Sequence, residues 1–342
     1  MQTLRTTYLN VAGKNTRLYY ELAKVLKVLQ NEEIPVILLK GAHLAEVVYE
    51  SIALRTMCDV DILVRKTDLL KAEKKLLEMG YSSSRVEEIE VVCAKCQHLS
   101  PLAKQGVAPV EIHWTIESPT SPFTIDVDGL WKRAQPATIA GVKVLALSPE
   151  DLLLHLCLHS AYHHFFEQGL RSLCDILETI RYYRNQIDWT LVEHRASQWN
   201  AKNPVYLTLR LARELLAAEV PDELLNALKP KKIDERLMVC ANEQIFTKGN
   251  DTANTLHWGS LKGLLPERQG KSFWGISMPR TLSPTTIAQR YKLPQNSWRI
   301  YLYYPIRLTD LFLRYRLLQL LYHHEERMKL SNQFALLKWL ES

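Results

Sequence analysis

Residues 34–64 read IPVILLKGAHLAEVVYESIALRTMCDVDILV, and this stretch limits what the chain can fold into. An apolar run ends at Lys40-Gly41. A short helical pattern follows, and a second apolar run then carries two carboxylates, Asp59 and Asp61, on either side of Val60. Burying an unpaired carboxylate inside an apolar strand is costly. At i and i+2 of a strand the two side chains share a face. At that range their repulsion requires a cation between them if both are to stay ionised. A hard divalent ion with oxygen ligands, such as Mg²⁺, meets that requirement.

The pattern around this stretch predicts alternating helices and strands. Leu18, Leu22, Val25, Leu26 and Leu29 recur at helical spacing, predicting a helix over 17–30. Residues 34–39 read as a strand buried on both faces, and 42–49 as a short helix. Residues 67–79 read as a helix started by Thr67 or Asp68 and closed by Gly80. Residues 85–114 read as short β-like pieces broken by Pro101, Gly106 and Pro109. Among them Glu111 alternates with Val110 and Ile112, and His113 shares its face. Residues 142–146 read as a last strand. At Ser148-Pro149-Glu150-Asp151 the pattern changes to a strong helix start: an N-cap, a first-turn proline and two acids at the positive dipole end. Helical patterns continue over 171–184, 189–199 and 204–217, with a short piece from Pro221. The expected domains are 1–147, 148–246 and 247–342.

Lys40-Gly41, Tyr49, Arg55 and the run from Asp59 to Val64 resemble the active-site segment of the polymerase-β-like nucleotidyltransferase superfamily, and within it the bacterial uncharacterised nucleotidyltransferase family. The resemblance is good over about 34–115 and continues weakly through the helices beyond. It implies an α+β fold, a small mixed sheet with helices, followed by a mostly helical C-terminal region. It also implies a third carboxylate on a later strand, a place that Glu111 fits. One departure stands out. The superfamily usually has Gly-Ser at the turn after the first strand, and this chain has Lys40-Gly41-Ala42. Gly41 still allows close approach of a phosphate to the backbone, and Lys40 brings a charge of its own.

The function that the resemblance implies is metal-dependent transfer of a nucleoside monophosphate from an NTP, expected to be ATP, to an acceptor hydroxyl, with release of pyrophosphate. Asp59, Asp61 and Glu111 are then the catalytic carboxylates and the ligands of Mg²⁺, or of Mn²⁺. Lys40, Gly41 and Arg55 position phosphates. His113, His155, His159, Arg171 and Asp175 are candidates for the acceptor side of the cleft. A small molecule or a protein side chain is expected as acceptor in preference to nucleic acid, because the basic excess is modest. The formal charge of +6 is uneven: residues 201–342 hold 21 Lys and Arg against 13 Asp and Glu, a net +8, and residues 1–200 hold 22 against 24, a net −2. The alternative is a non-catalytic, antitoxin-like regulator that binds a nucleotide or a partner through the same fold.

Two zinc readings are also open. Cys93-Ala94-Lys95-Cys96 with His98 has ligand spacing but no second pair; otherwise these are free cysteines at a strand edge or in a loop. Asp151, His155, His159 and His163 fall four residues apart on one helical stripe, either as ligands or as a polar seam. The start lacks a basic segment leading into an apolar one, which places the chain in the cytoplasm by expectation, and the apolar runs are too short to span a bilayer. Residues 247–297 read as a long irregular loop. After it Trp298, Tyr301, Tyr303 and Tyr304 interleave with Arg299, Arg307, Arg314 and Arg316. That mix suits bases and phosphates, an anionic membrane surface, or packing of an amphipathic helix with its arginines outward.

Overall fold

Burial on both faces makes the first apolar run the centre of a sheet. The strands are Ile37–Leu38 (β1), Val60–Leu63 (β2), Val110–His113 (β3), Gln135–Ile139 (β4) and Val142–Ala146 (β5). Their order is β3-β2-β1-β5-β4. The central β1 pairs antiparallel with β2 and parallel with β5. Outside them, β3 lies parallel to β2 and β4 antiparallel to β5. The fold is thus α+β, a mixed sheet with helices followed by helical segments. The computed structural model describes residues 2–231, 235–246, 284–291, 293–294, 297–307, 309 and 324–342.

The strand period of two divides the sheet into an apolar face and a charged one. Val60, Ile62, Val110 and Ile112 belong to a core cluster with Leu18, Leu22, Leu26, Leu69 and Leu76 from the helices Gln2–Asn31 (α1) and Leu69–Glu78 (α3). The alternate positions, Asp61, Glu111 and His113, are held on the opposite face. A one-residue slip would exchange the two sets, so the apolar core fixes the register of the carboxylates.

Local departures from the predicted elements have physical causes. Helix α1 is about twice its predicted length, because residues 2–10 are exposed and show no apolar period while still adopting helix. Lys40–His43 (α2) passes into a π turn over Leu44–Val48. The segment predicted to be β-like contains a helix, Ile89–Lys95 (α4). Ile89, Val92, Cys93 and Cys96 have the three-to-four spacing of a helix face, and Val92 and Cys93 are buried. The two cysteines therefore lie on a helix and at its C-cap, not at a strand edge.

Val127–Arg133 (α5) precedes β4. Then Pro149–Leu158 (α6) begins where the Ser148 Oγ accepts the Asp151 N–H. This helix stops at Leu158 and continues as a π turn over His159–His163, and the His155, His159 and His163 rings stay successive neighbours, with centroids 6.2 and 5.8 Å apart. Leu170–Tyr182 (α7), Trp189–Gln198 (α8), Lys202–Leu216 (α9) and Asp222–Leu228 (α10) follow.

Asp151 is fully buried and takes no part in the histidine stripe. It accepts from the Arg133 Nε at 2.8 Å and the Arg195 Nη1 at 3.1 Å, and Arg195 also reaches Glu150 at 3.2 Å. These bonds tie α5 and α8 to the first turn of α6. Arg195→Met leaves buried carboxylates short of a cation, so the free energy of unfolding, measured by urea titration, is expected to fall by about 3 kcal/mol.

The chain divides into two compact units, Met1–His163 with Leu170–Lys231, and His164–Gly169 with Lys232–Ser342. The first holds the sheet and α1–α10. In the second, Glu235–Phe246 (α11), Pro284–Arg290 and His324–Leu340 are helices. Residues 247–283 of the predicted loop lie outside the described residues, and the Pro284–Arg290 helix replaces part of the remainder. Trp298–Leu302 forms a 3-10 turn with Trp298 and Tyr301 exposed; Arg314 and Arg316 lie outside the described residues. Among the described residues no helix is long and apolar enough to cross a membrane.

Candidate functional site

Parallel pairing of β2 with β3 sets Asp61 opposite Glu111 and Leu63 opposite His113. Asp59 stands just before β2, half-buried, on the side that Asp61 faces. The sheet thereby brings Glu111, distant in sequence, to the Asp59–Asp61 segment. The Asp61 Oδ1 lies 3.1 Å from the Lys40 Nζ and 3.0 Å from the His113 Nε2. The Glu111 Oε2 lies 3.6 Å from the same His113 nitrogen and 3.8 Å from the His98 Nε2.

These contacts decide the ionisation of the cluster. Burial opposes the charge on Asp61, but Lys40 and His113 outweigh it and hold its carboxyl well below the usual range. His113 donates toward Glu111 and lowers its pKa against the effect of burial. His113 itself is raised, since its bonds to Asp61 and Glu111 overcome the cost of desolvating its ring. Asp59 moves the other way, pushed up by burial and then by the charge on Asp61.

The Lys40 turn is strained and braced. Lys40 has φ +33°, a region that a side chain makes costly by about 1–3 kcal/mol and that concentrates at functional sites. Its ammonium, which can only donate, gives a second bond to the His159 Nε2 at 3.3 Å. Helix α1 supports the turn from beneath, where the Tyr19 hydroxyl donates to the Ala42 carbonyl at 2.6 Å. The buried Asn15 amide donates to the Ile52 and Arg55 carbonyls at 2.5 and 2.8 Å, fixing the loop that leads into β2.

Arg55 is committed to the helical region. Its Nε and Nη2 form a bidentate pair with Asp175 of α7 at 2.9 and 2.8 Å, and the Tyr49 hydroxyl donates to the same carboxylate at 2.8 Å. Desolvation works against Arg55, yet Asp175 raises its pKa further. Gly41 is needed where this guanidinium passes, because a Cβ there would lie 2.9 Å from the Arg55 Nη1. With Arg55 pinned by Asp175, Gly41→Ala forces the turn or the ion pair to shift. A loss of about 1–2 kcal/mol in urea unfolding is expected.

The remaining sequence candidates separate. His155 is buried and kept neutral, first by desolvation and then by Lys40 and His113. Its neighbour His159 serves Lys40. His163 lies 2.9 Å from the buried Glu117 but out of hydrogen-bond alignment. Arg171 has a buried Nε without a hydrogen-bond partner. The stripe is thus a polar seam: among the described residues the one group able to hold a metal ion is Asp61, Glu111 and His113, whose ligand atoms lie within 4.8 Å of one another. Neither the cysteine pair nor the histidine stripe forms such a group. The oxygen-rich donor set fits a divalent ion, and Lys40 and His113 supply positive charge at the same carboxylate. Sequence reasoning missed Asn15 and Tyr19, for which an exposed helix start and an ordinary amphipathic pattern give no signal. Tyr49 lay within the quoted motif, but its partner, 126 residues away, was not visible.

Comparison with characterised proteins by sequence finds no match. Among solved structures, that of the antibiotic-resistance factor ANT(2'')-Ia is similar over 54% of this chain and 91% of its own. The identity is 12% and the TM-score 0.38, too slight a likeness to argue from. The model of a family described as uncharacterised nucleotidyltransferase matches residues 1–217, which include the whole sheet and its carboxylates. The chain belongs to that nucleotidyltransferase family.

Proposed function

We propose that this protein transfers a nucleoside monophosphate from an NTP, with ATP the first candidate, to a hydroxyl on a small molecule or a protein side chain, releasing pyrophosphate. The observation that supports this reading best is the register that sets Asp61 beside Glu111, with Asp59 two residues earlier and Lys40 in contact. Asp59, Asp61 and Glu111 would hold Mg²⁺ or Mn²⁺, which supplies charge neutralisation at the triphosphate and a more acidic acceptor hydroxyl.

The other residues position groups and move protons. Gly41, without a Cβ, lets a phosphate approach the backbone. The Lys40 ammonium sits between Asp61 and His159 and turns to the triphosphate, a point charge serving where the superfamily uses a serine. Arg55 acts through Asp175, bracing the Gly41 turn rather than releasing its donors to phosphate. Glu111, held ionised by His113, accepts the proton of the acceptor hydroxyl. Rate gain then comes from orientation and preorganised charge.

The reading is tested by mixing the protein with each NTP, a divalent ion and fractions of a cell extract. Pyrophosphate release that needs both the ion and one fraction is the expected result. NTP binding with no release in any fraction would instead favour the regulator.

A further inference from the structure

We propose that residues 298–306 form a membrane-surface contact that lays Trp298, Tyr301, Leu302 and Ile306 into the headgroup boundary of an anionic lipid bilayer. The contact belongs to the second compact unit and does not depend on the transfer reaction proposed above.

This segment carries apolar residues on both of its sides. Trp298–Leu302 is a 3-10 turn, and residues 303–307 continue as helix. On one side Ile300, Tyr303 and Tyr304 pack with Ile287 and Ala288 of the Pro284–Arg290 helix in a small core. On the other side Trp298, Tyr301, Leu302 and Ile306 follow at helical spacing. These four are left between 52% and 69% exposed. A helix that is apolar all round is normally buried, yet here half of the apolar surface faces outward. An amphipathic helix packed with its arginines outward has the reverse pattern. Arg307 is buried, and Ile306 beside it is exposed. A patch of adjacent exposed apolar side chains marks an interaction site.

Charge and side-chain type select the occupant. Residues 268–309 hold seven Lys and Arg and no Asp or Glu. Arg290 and Arg299 among them are exposed. A stretch of one sign attracts an anionic surface. Single-stranded nucleic acid is held by aromatic faces on which bases stack. Leu302 and Ile306 offer no such face, and the Tyr301 ring already lies nearly parallel to that of Tyr304, at 11° with centroids 6.0 Å apart. Trp and Tyr beside aliphatic side chains and arginine suit the bilayer interface, where aromatic rings sit at headgroup level and apolar side chains enter by about 5–10 Å. Among the described residues no helix is long and apolar enough to cross a bilayer, so the contact is with its surface.

The test is flotation of the full chain with phosphatidylcholine vesicles that contain phosphatidylglycerol, against vesicles of phosphatidylcholine alone. Binding to the anionic vesicles is expected, and added salt should weaken it. Leu302→Ser with Ile306→Ser, both at exposed positions, should lower that binding at least about tenfold with an unchanged circular dichroism spectrum. Arg299→Gln, a change that touches no apolar packing, should lower it about fivefold. No binding to anionic vesicles would overturn the proposal, as would equal binding to neutral vesicles or equal binding by the folded double variant. Capture of single-stranded RNA with vesicles left unbound would overturn it in favour of a nucleic-acid partner.

Discussion

Asp61→Asn is expected to lower nucleotidyl transfer by at least about 10³-fold, since removing several kcal/mol of transition-state charge stabilisation has that effect on rate. Asp61 meets Lys40 and His113 at once, so a single carboxylate organises both the basic and the metal-capable sides of the site. Asparagine keeps its shape and removes its charge. The depressed pKa means that the stabilising contribution of this charge is present above about pH 4, the unfolded value, and is lost only as pH falls further. The carboxylate thus stays ionised throughout a neutral assay range. The variant should remain folded by circular dichroism while its kcat falls. Full activity in a folded Asp61→Asn protein would contradict the role.

The second large effect is expected at Asp175, far from the carboxylates in sequence. Asp175→Ala strips a buried guanidinium of its two bonds to the carboxylate, leaving only the Nη1 bond to the Thr56 carbonyl, and such a broken pair costs about 3–5 kcal/mol. The Tyr49 hydroxyl loses its acceptor as well. Because Arg55 lies against Gly41, the loss should reach the site. In protein kept folded at low temperature, KM for NTP should rise more than kcat falls. Replacing the pair with apolar residues, as in Arg55→Met with Asp175→Leu, should restore much of the stability but not the NTP affinity. Urea midpoints and initial-rate kinetics separate the two effects. An Asp175→Ala protein with wild-type stability would show that the pair does not bear on the fold.

These two residues mark how far the sequence could be read. Asp61 was legible because a carboxylate inside an apolar strand conflicts with its surroundings, and such conflicts concentrate at functional sites. Glu111 was legible as an alternating residue in a matching motif, although only the pairing of β2 with β3 brings the two within reach. The start of α6 was legible from its cap chemistry, and α7–α9 from their periodicity. Asp175 was noticed only as a candidate for the acceptor side of the cleft, not as the partner of Arg55. The bond to Arg55 depends on how α7 packs, and no local pattern encodes that. The π turn at 159–163 escaped for a similar reason. Nothing in HSAYH marks the wider turn, although the four-residue histidine stripe survives it, with successive rings 6.2 and 5.8 Å apart. The α4 helix was misread because Pro101, Gly106 and Pro109 set the reading of a longer stretch, while Ile89, Val92, Cys93 and Cys96 held a short helical period within it.

The most direct measurement compares NTP labelled at the α-phosphate with NTP labelled at the γ-phosphate, using wild-type protein and Asp61→Asn with a divalent ion and cell extract. The account predicts that α-label becomes attached to an acceptor while γ-label leaves as pyrophosphate, and that both events vanish in the variant. Transfer of γ-label to the acceptor, or equal labelling by the variant, would contradict nucleotidyl transfer at this site.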